Sequence, residues 1–144
     1  MLVVFRVGDG RFAVNVEHVQ RATRVGKITP LVDSPAAVLG VADVQGQPLI
    51  VISGKVKLGA STDVTRPGEK APILIITTSV GPVTLLVDKI EGVLPPDADA
   101  RQTLPGVVRV QTQLVTYVEP DHLLDPAIKH LLLGNSLLEA AEAI

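Results

Sequence analysis

The chain carries one β-rich pattern twice, and this internal repeat restricts its architecture more than any other feature of the sequence. Sliding the sequence by 71 positions lays residues 3–19 over residues 74–90, and apolar positions coincide nearly throughout. A second match, at an offset of 66, lays residues 40–52 over residues 106–118. The simpler explanation of the two matches is coincidence, because any two hairpins rich in valine and isoleucine resemble each other. A true repeat predicts paired sub-barrels, because each unit leaves an apolar face that the other covers.

The composition argues against several classes of function. The 144 residues include no cysteine, so nothing supports a disulfide, a thiol nucleophile or a thiolate metal site. With 13 basic against 15 acidic residues and few aromatic side chains, the chain lacks the cationic, stacking surface of a nucleic-acid-binding protein. Its apolar runs are far shorter than the ~18 residues that span a bilayer. We expect a cytoplasmic protein that binds no nucleic acid and does not insert into the membrane.

Alternating apolar residues predict a mainly β fold. Residues 2–7 and 11–16 flank Asp9-Gly10, a pair that tolerates positive φ and is typical of a tight hairpin turn. Further strands are predicted at 38–44, 48–52, 73–78, 83–87, 107–110 and 114–118, with another near Val93. The polar connector at 54–71 is predicted to contain one short helical turn near 55–58.

A short helix is predicted after the first hairpin, over residues 15–24. Its first residue is an asparagine, which is a good N-cap. Val19 and Ala22 fall on one face at a spacing of three, while Glu17 and Arg21 have the i,i+4 spacing of a helical ion pair.

The pattern becomes helical again at the C-terminal end. Asp125 is a good N-cap for a segment that stops at Gly134-Asn135, and Ser136 to Glu139 match a capping box, so residues 125–144 are predicted to form a broken helix. The first segment is expected to pack on a barrel. The second is expected to contact another subunit or partner through Leu137, Leu138 and Ile144. The alternative is that both segments cover the protein's own core.

No set of side chains in the sequence prepares a catalytic or metal site. His18, His122 and His130 have no second ligand at helical or hairpin spacing, which favours solvated or capping histidines over ligands or bases. No serine lies in a Gly-x-Ser-x-Gly elbow, and Gly68-Glu69-Lys70 lacks the other residues of a phosphate loop. We therefore predict a non-enzymatic protein with no cofactor and no metal.

The surface between the two repeated units is the remaining candidate for function. Two adjoining barrels leave a groove floored by aliphatic side chains, and such grooves accept an amphipathic partner helix. Four apolar residues between the first hairpin and the next strand fall near this position, namely Val19, Ala22, Val25 and Ile28. The alternative is that all four are ordinary core residues.

The order of these elements resembles the CheW-like family of bacterial chemotaxis scaffold proteins. The resemblance covers Met1 to about Leu124 and is more specific in the first half. It is carried there by residues 3–9, 12–19, 28–30, 34–35, 38–41 and 48–52, and in the second half by residues 85–94 and 104–107.

The resemblance implies two intertwined SH3-like five-stranded β-barrels, a cytoplasmic setting and no catalysis. The CheW-like domain would span residues 1–124, with barrels at about 12–70 and 71–118 that share the first strand, followed by the helical extension 125–144. Family members couple the signalling tips of chemoreceptors to the regulatory domain of the histidine kinase CheA, which has the same fold. Other CheW-like domains are therefore further partners that the resemblance implies.

The resemblance also assigns roles to particular residues. The receptor helix would lie in the groove between the barrels, at Val19, Arg21, Ala22, Val25 and Ile28. The kinase contact would be made by the turn that contains Gly40, Gln45 and Gly46.

This sequence departs from the family pattern at both contacts. Arg21 stands where an acidic residue is common, and Gln45 replaces the arginine of a turn that otherwise reads Asn-Leu-Arg-Gly. A charge reversal and a charge loss at these places predict a divergent adaptor with weakened kinase coupling.

Two other interpretations stay open. A small-molecule-sensing or regulatory barrel without receptor coupling would need buried polar groups that converge in an apolar pocket, which the sequence does not advertise. A fragment equivalent to the kinase's own regulatory domain is disfavoured, because the chain begins on the first strand and a helix follows the last.

Overall fold

The computed structural model describes residues 1–59, 70–97 and 105–133, and most of these residues lie in strands. The strands are β1 (Leu2–Val7), β2 (Gly10–Asn15), β3 (Val19–Arg24), β4 (Ile28–Thr29), β5 (Val38–Val44), β6 (Gln47–Ser53), β7 (Pro72–Thr78), β8 (Gly81–Leu86), β9 (Lys89–Leu94), β10 (Val107–Val110) and β11 (Gln113–Tyr117). One short α-helix, α1, spans Gly54–Lys57, and 3-10 turns occur at Val16–His18 and Pro120–Leu123. Residues 126–133 are helical and are called α2. The predicted mainly β class is confirmed.

The strands form two sheets rather than one. The five-stranded sheet has the order β10-β11-β2-β1-β9, and the six-stranded sheet has the order β3-β7-β8-β6-β5-β4. The sequence did not predict two of the six strands, namely β3 and the two-residue β4, which pairs with β5.

The two sheets exchange strands between the halves of the chain. Hairpin β1–β2 belongs to a sheet whose other strands are β9, β10 and β11, and hairpin β7–β8 belongs to the sheet of β3, β4, β5 and β6. The sheets therefore do not follow the expected boundaries 12–70 and 71–118, because each half contributes a hairpin to the other half's sheet.

The pairing registers reproduce the sequence repeat. Val7 faces Gly10 at the end of the first hairpin, and the residues 71 positions later, Thr78 and Gly81, face each other in the same way. The parallel pair Val51 and Thr84 has its counterpart in Tyr117 and Ala13, at offsets of 66 and 71. The repeat is therefore structural, and it relates the two sheets by an approximate two-fold exchange.

Both faces of β1 are buried. Val3, Phe5 and Val7 belong to the main hydrophobic cluster, which joins the two sheets, while Leu2 and Val4 belong to a smaller cluster inside the five-stranded sheet. A third cluster lies inside the six-stranded sheet. Because both sheets depend on the shared cluster, neither has an independent core on its inner face.

The helix expected over residues 15–24 is wrong beyond its first turn. The Asn15 side chain accepts a hydrogen bond from the Glu17 backbone N–H at 3.0 Å and caps the 3-10 turn, after which the chain enters β3. A one-residue bulge at Gln20 interrupts the pairing of β3 with β7. An extra residue puts positions three apart on the same face of a strand, so the helical spacing of Val19 and Ala22 has a β explanation.

The first segment of the C-terminal extension packs on the sheets, as expected. The Asp125 carboxylate accepts a hydrogen bond from the Ile128 backbone N–H at 2.8 Å and lies 3.2 Å from Lys57 Nζ. Ile128 is fully buried in the main cluster, and Leu131 and Leu132 pack against it. The second segment, with Leu137, Leu138 and Ile144, lies outside the described residues.

Candidate functional site

Strand β3 lies at the edge of the six-stranded sheet and carries three of the five expected groove residues, Val19, Arg21 and Ala22. Val19 is paired with Ile76 and Ala22 with Leu74, and both partners belong to the cluster between the sheets. Side chains opposite each other on paired strands share a face. Val19 and Ala22 therefore face the junction of the two sheets, where the groove was expected.

An open groove of about 540 Å³ lies at this junction. We call it the inter-sheet groove, and its lining residues are Ala22, Thr23, Arg24, Pro72, Asp88, Lys89 and Ile90. They come from β3, from the start of β7 and from the turn that leads into β9, so both sheets contribute. The groove is a mixed polar and apolar surface rather than the aliphatic floor that was predicted.

Four of the five expected groove residues do not line it, and one of them, Val19, lies further back on β3, where it packs against the main cluster. Arg21 is paired with Ile75, on the opposite face of β3 from Ala22, because side chains alternate along a strand. Val25 is 2% exposed and packs with Leu39 and Val51 inside the six-stranded sheet. Ile28 is half-buried against the same cluster. Val25 is therefore an ordinary core residue, which was the alternative to a place in the groove.

Sequence reasoning missed Arg24, Lys89 and Ile90. Ile90 could have been found, because the offset of 71 maps it onto Val19. A β-bulge follows each of these two residues, at Gln20 after Val19 in β3 and at Glu91 after Ile90 in β9. Arg24 and Lys89 gave no such signal, since charged residues at strand ends are common on any protein surface.

The Asp88 carboxylate at the edge of the groove is already engaged. It accepts a hydrogen bond from the Gly8 backbone N–H at 2.6 Å, and Lys55 Nζ lies 3.8 Å away. Within the described ranges 1–59, 70–97 and 105–133, no carboxylate forms an ion pair with Arg24 or Lys89. The charged side chains of the groove therefore present an excess of positive charge.

The expected kinase-contact turn divides into an exposed tip and a buried glycine. Gln45 and Gly46 have φ values of 53° and 84° and form the exposed two-residue turn between β5 and β6. Gly40 lies inside β5, is buried and has a φ of 148°. A Cβ at this position would overlap the backbone of Thr29 and Pro30. Gly40 therefore shapes the strand and is not available for contact.

The matching turn of the other hairpin, at Gln111 and Thr112, is held by a carboxylate. Their φ values are 51° and 64°, and both backbone N–H groups donate to Asp97, at 3.0 and 2.8 Å. Positive φ is unfavourable for a β-branched residue such as Thr112. The two hydrogen bonds offset that cost.

A second set of polar contacts joins β2 and β9 to this hairpin. Arg11 donates to Glu91 at 2.8 Å and to the side chains of Gln111 and Gln113 at 3.0 Å. Burial alone would raise the pKa of Glu91, but the Arg11 guanidinium, together with Arg6, lowers it below its usual value. This network stabilises the five-stranded sheet at the bulge.

A smaller recess, of about 340 Å³, lies near the opposite end of β3. It is lined by His18, Thr77, Thr78, Ser79, Glu119, Pro120 and Asp121. The Ser79 backbone N–H donates to Asp121 at 2.9 Å and lowers the pKa of that carboxyl. Across the described part of the chain, no three metal-ligating side chains come together, and no helix is long and apolar enough to cross a membrane.

A family model and two named relatives match this chain. The model of the CheW-like domain matches residues 1–127. A protein named Chemotaxis protein CheW from Rhizobium meliloti (strain 1021) is 29% identical over 132 residues, with 83% of this chain and 84% of that protein covered. A protein named Probable chemotaxis protein CheW from Rhizobium etli is 29% identical over 106 residues, with 74% and 67% covered.

A solved structure has the same fold. The crystal structure of the scaffolding protein TtCheW from Thermoanaerobacter tengcongensis superposes with a TM-score of 0.73 at 18% sequence identity. The match covers 88% of this chain and 93% of the other. The exchanged arrangement of two β-sheets is thus an architecture that a second, distantly similar chain adopts.

Proposed function

Because the chain belongs to the CheW-like family, we propose that it is a non-catalytic, cytoplasmic adaptor of a chemosensory system, which links the signalling tips of chemoreceptors to a CheA-type histidine kinase. The family membership supports a scaffold role in chemotaxis. The receptor and the kinase are the partners that we infer, together with other CheW-like domains. The kinase contact is the weaker of the two, because Gln45 cannot supply the bidentate donor of an arginine.

The observation that carries the proposal is the groove between the sheets. It is open, it is lined from both halves of the chain, and its lining residue Ile90 is half-buried against the main cluster, as is Val19 at the start of β3. A partner helix placed along β3 would cover these two side chains without opening the core. Burial of apolar surface in such a groove is the usual source of affinity for an amphipathic helix.

The test is the substitution Val19→Asp, combined with a pull-down by the signalling-tip hairpin of a chemoreceptor from the same organism. A charge placed in an apolar contact without a partner is costly, so we expect binding to weaken by at least about tenfold. Val32→Asp is the matched control, because Val32 is 90% exposed and lies in the loop between β4 and β5. Circular dichroism would verify that both variants are folded. Undiminished binding by folded Val19→Asp would remove Val19 from the receptor site.

No specific observation favours the alternative of a small-molecule sensor. Of the buried side-chain polar atoms in the described residues, only Thr84 Oγ1 is without a hydrogen-bond partner, and Thr84 lines neither the inter-sheet groove nor the smaller recess. A ligand pocket needs a few polar groups that converge on the ligand. The groove offers an open surface instead, which suits a macromolecular partner.

A further inference from the structure

The internal repeat relates the residues that line the inter-sheet groove to residues at the other ends of β3 and β9, so we treat the seam along these two strands as one extended groove with two ends. An offset of 71 maps Ala22 onto Val93, Arg24 onto Pro95 and, in the reverse direction, Lys89 onto His18. Backbone hydrogen bonds at the two places are related by the same offset of 71. The Val87 N–H donates to the Pro72 carbonyl at 3.1 Å, and the equivalent Val16 N–H donates to the Met1 carbonyl at 3.0 Å.

The two strands that border the groove therefore run in opposite directions about the approximate two-fold axis. β3 ends and β9 begins at the end lined by Arg24 and Lys89. By the repeat, β9 ends and β3 begins at the other end, near Met1 and Val93. A backbone with this symmetry would accept a bound helix equally well in either direction. Only the side chains can select one direction.

The side chains at the two ends differ in chemistry. Arg24 and Lys89 line one end, and a hydrogen bond from Arg24 Nη1 to the Lys70 backbone carbonyl at 2.7 Å holds the guanidinium in place. The nearby carboxylate, Asp88, already has Gly8 and Lys55 as partners. We call the end lined by Arg24 and Lys89 the cationic end.

The opposite end exposes large apolar side chains. Met1 is 57% exposed and Val93 is 49% exposed, and Pro95 occupies the position equivalent to Arg24. Met1 directly precedes β1, which pairs with β9, so these exposed apolar side chains lie on adjoining segments, and contiguous exposed apolar side chains mark contact surfaces. Glu17 is equivalent to Asp88 and is exposed, and its carboxylate balances the N-terminal ammonium of Met1, so this end carries no excess of positive charge. We call it the apolar end.

We propose that the groove binds its partner helix in one direction only, with carboxylates of the partner over the cationic end and aliphatic side chains over the apolar end. This inference rests on the proposed adaptor function and specifies the partner's chemistry, an amphipathic helix that is acidic toward one terminus. The charges set the direction and the encounter rate more than the total affinity, because electrostatic complementarity acts mainly on specificity and steering.

Charge reversal at the cationic end tests the proposal. The double variant Arg24→Glu with Lys89→Glu would be titrated with the receptor signalling-tip hairpin, at low and at high salt. We expect a loss of affinity of at least about tenfold at low salt that shrinks at high salt, as screening predicts. The matched control is Arg109→Glu with Lys129→Glu, which changes the net charge equally at exposed positions outside the groove. We expect the control to bind within about twofold of the parent.

The direction is measured with a spin label placed on either end of the tip helix. With the label on the acidic end, we expect amide resonances of Thr23 and Lys89 to broaden, and with the label on the other end, those of Val93 and Leu94. Equal broadening at both ends, or a double variant that binds as well as the parent, would refute the single direction and leave the adaptor function standing. A parent protein that does not bind the hairpin at all would contradict the adaptor function itself.

Discussion

Single residues decide how each element of this protein can be used. Gly40 and Gln45 lie on the same hairpin, five positions apart, but one is buried at a positive φ and the other is exposed at the tip. The resemblance to the family assigned both to one contact. The structure separates a residue that shapes the strand from a residue that is free to meet a partner.

Gly40→Ala should destabilise the protein. The new Cβ would overlap the Thr29 carbonyl oxygen, and alanine is strained at a φ of 148°. We expect a loss of at least about 2 kcal/mol in the free energy of unfolding, measured by urea denaturation. Gly26→Ala is the control, since no atom lies within 4 Å of its added Cβ. Equal stabilities of the two variants would mean that the Gly40 backbone adapts.

Gln45→Arg should strengthen the kinase contact. An arginine offers a bidentate charged donor where the glutamine offers a neutral amide, so affinity for the kinase regulatory domain should rise by about tenfold in a calorimetric titration. Gln47→Arg adds the same charge two residues away, in the exposed start of β6, and should have little effect. A parent that already binds with submicromolar affinity, and loses it in Gln45→Ala, would show that the glutamine is itself an effective contact.

At the scale of the element, β3 shows why part of the site could not be predicted. Hydrophobic spacing identified the hairpins and a strand near Val93, and the polar connector was expected to hold the short helix near 55–58, because these patterns depend on local sequence. The period of three in residues 16–22 is ambiguous between a helix and a bulged strand. The pairing of β3 with β7, some 50 residues later, selects the bulged strand over the helix. No local sequence pattern contains that information.

The bulged strand β9 makes a testable contribution to stability through Glu91. Because the pKa of Glu91 is lowered in the folded protein, its stabilising effect is present above the pKa of the unfolded chain and is lost as pH falls through the folded value. Glu91→Gln should therefore cost about 1–2 kcal/mol near neutral pH, and the difference from the parent should vanish under acid conditions.

The comparison is made by chemical denaturation at a series of pH values. Glu119→Gln is the matched control, because Glu119 is exposed and its side chain forms no capping hydrogen bond. The control should follow the parent at every pH. A cost for Glu91→Gln that is the same at low and neutral pH would show that Glu91 acts by packing rather than by charge.

At the scale of the whole molecule, a deletion in the C-terminal extension distinguishes a structural role of this segment from a role in binding another subunit. The described part of α2 is anchored by Ile128, so removal of Ser136 to Ile144 should leave the melting temperature unchanged. Under our hypothesis that Leu137, Leu138 and Ile144 contact another subunit, the same deletion should abolish an association detected by light scattering. A truncated protein that is monomeric like its parent but clearly less stable would assign the segment to the core.

The exchange of hairpins between the two sheets also affects folding of the chain during its synthesis. As the chain leaves the ribosome, β1 and β2 appear first, but their remaining neighbours β9 and β11 begin only about 75 and about 100 residues later. The six-stranded sheet likewise waits for β7 and β8. Long-range pairing of this kind slows folding and leaves strand edges exposed in the meantime. Neither sheet can be completed during synthesis of the first half, so strand edges of the nascent chain stay open to aggregation until β8 has been translated for one sheet and β11 for the other.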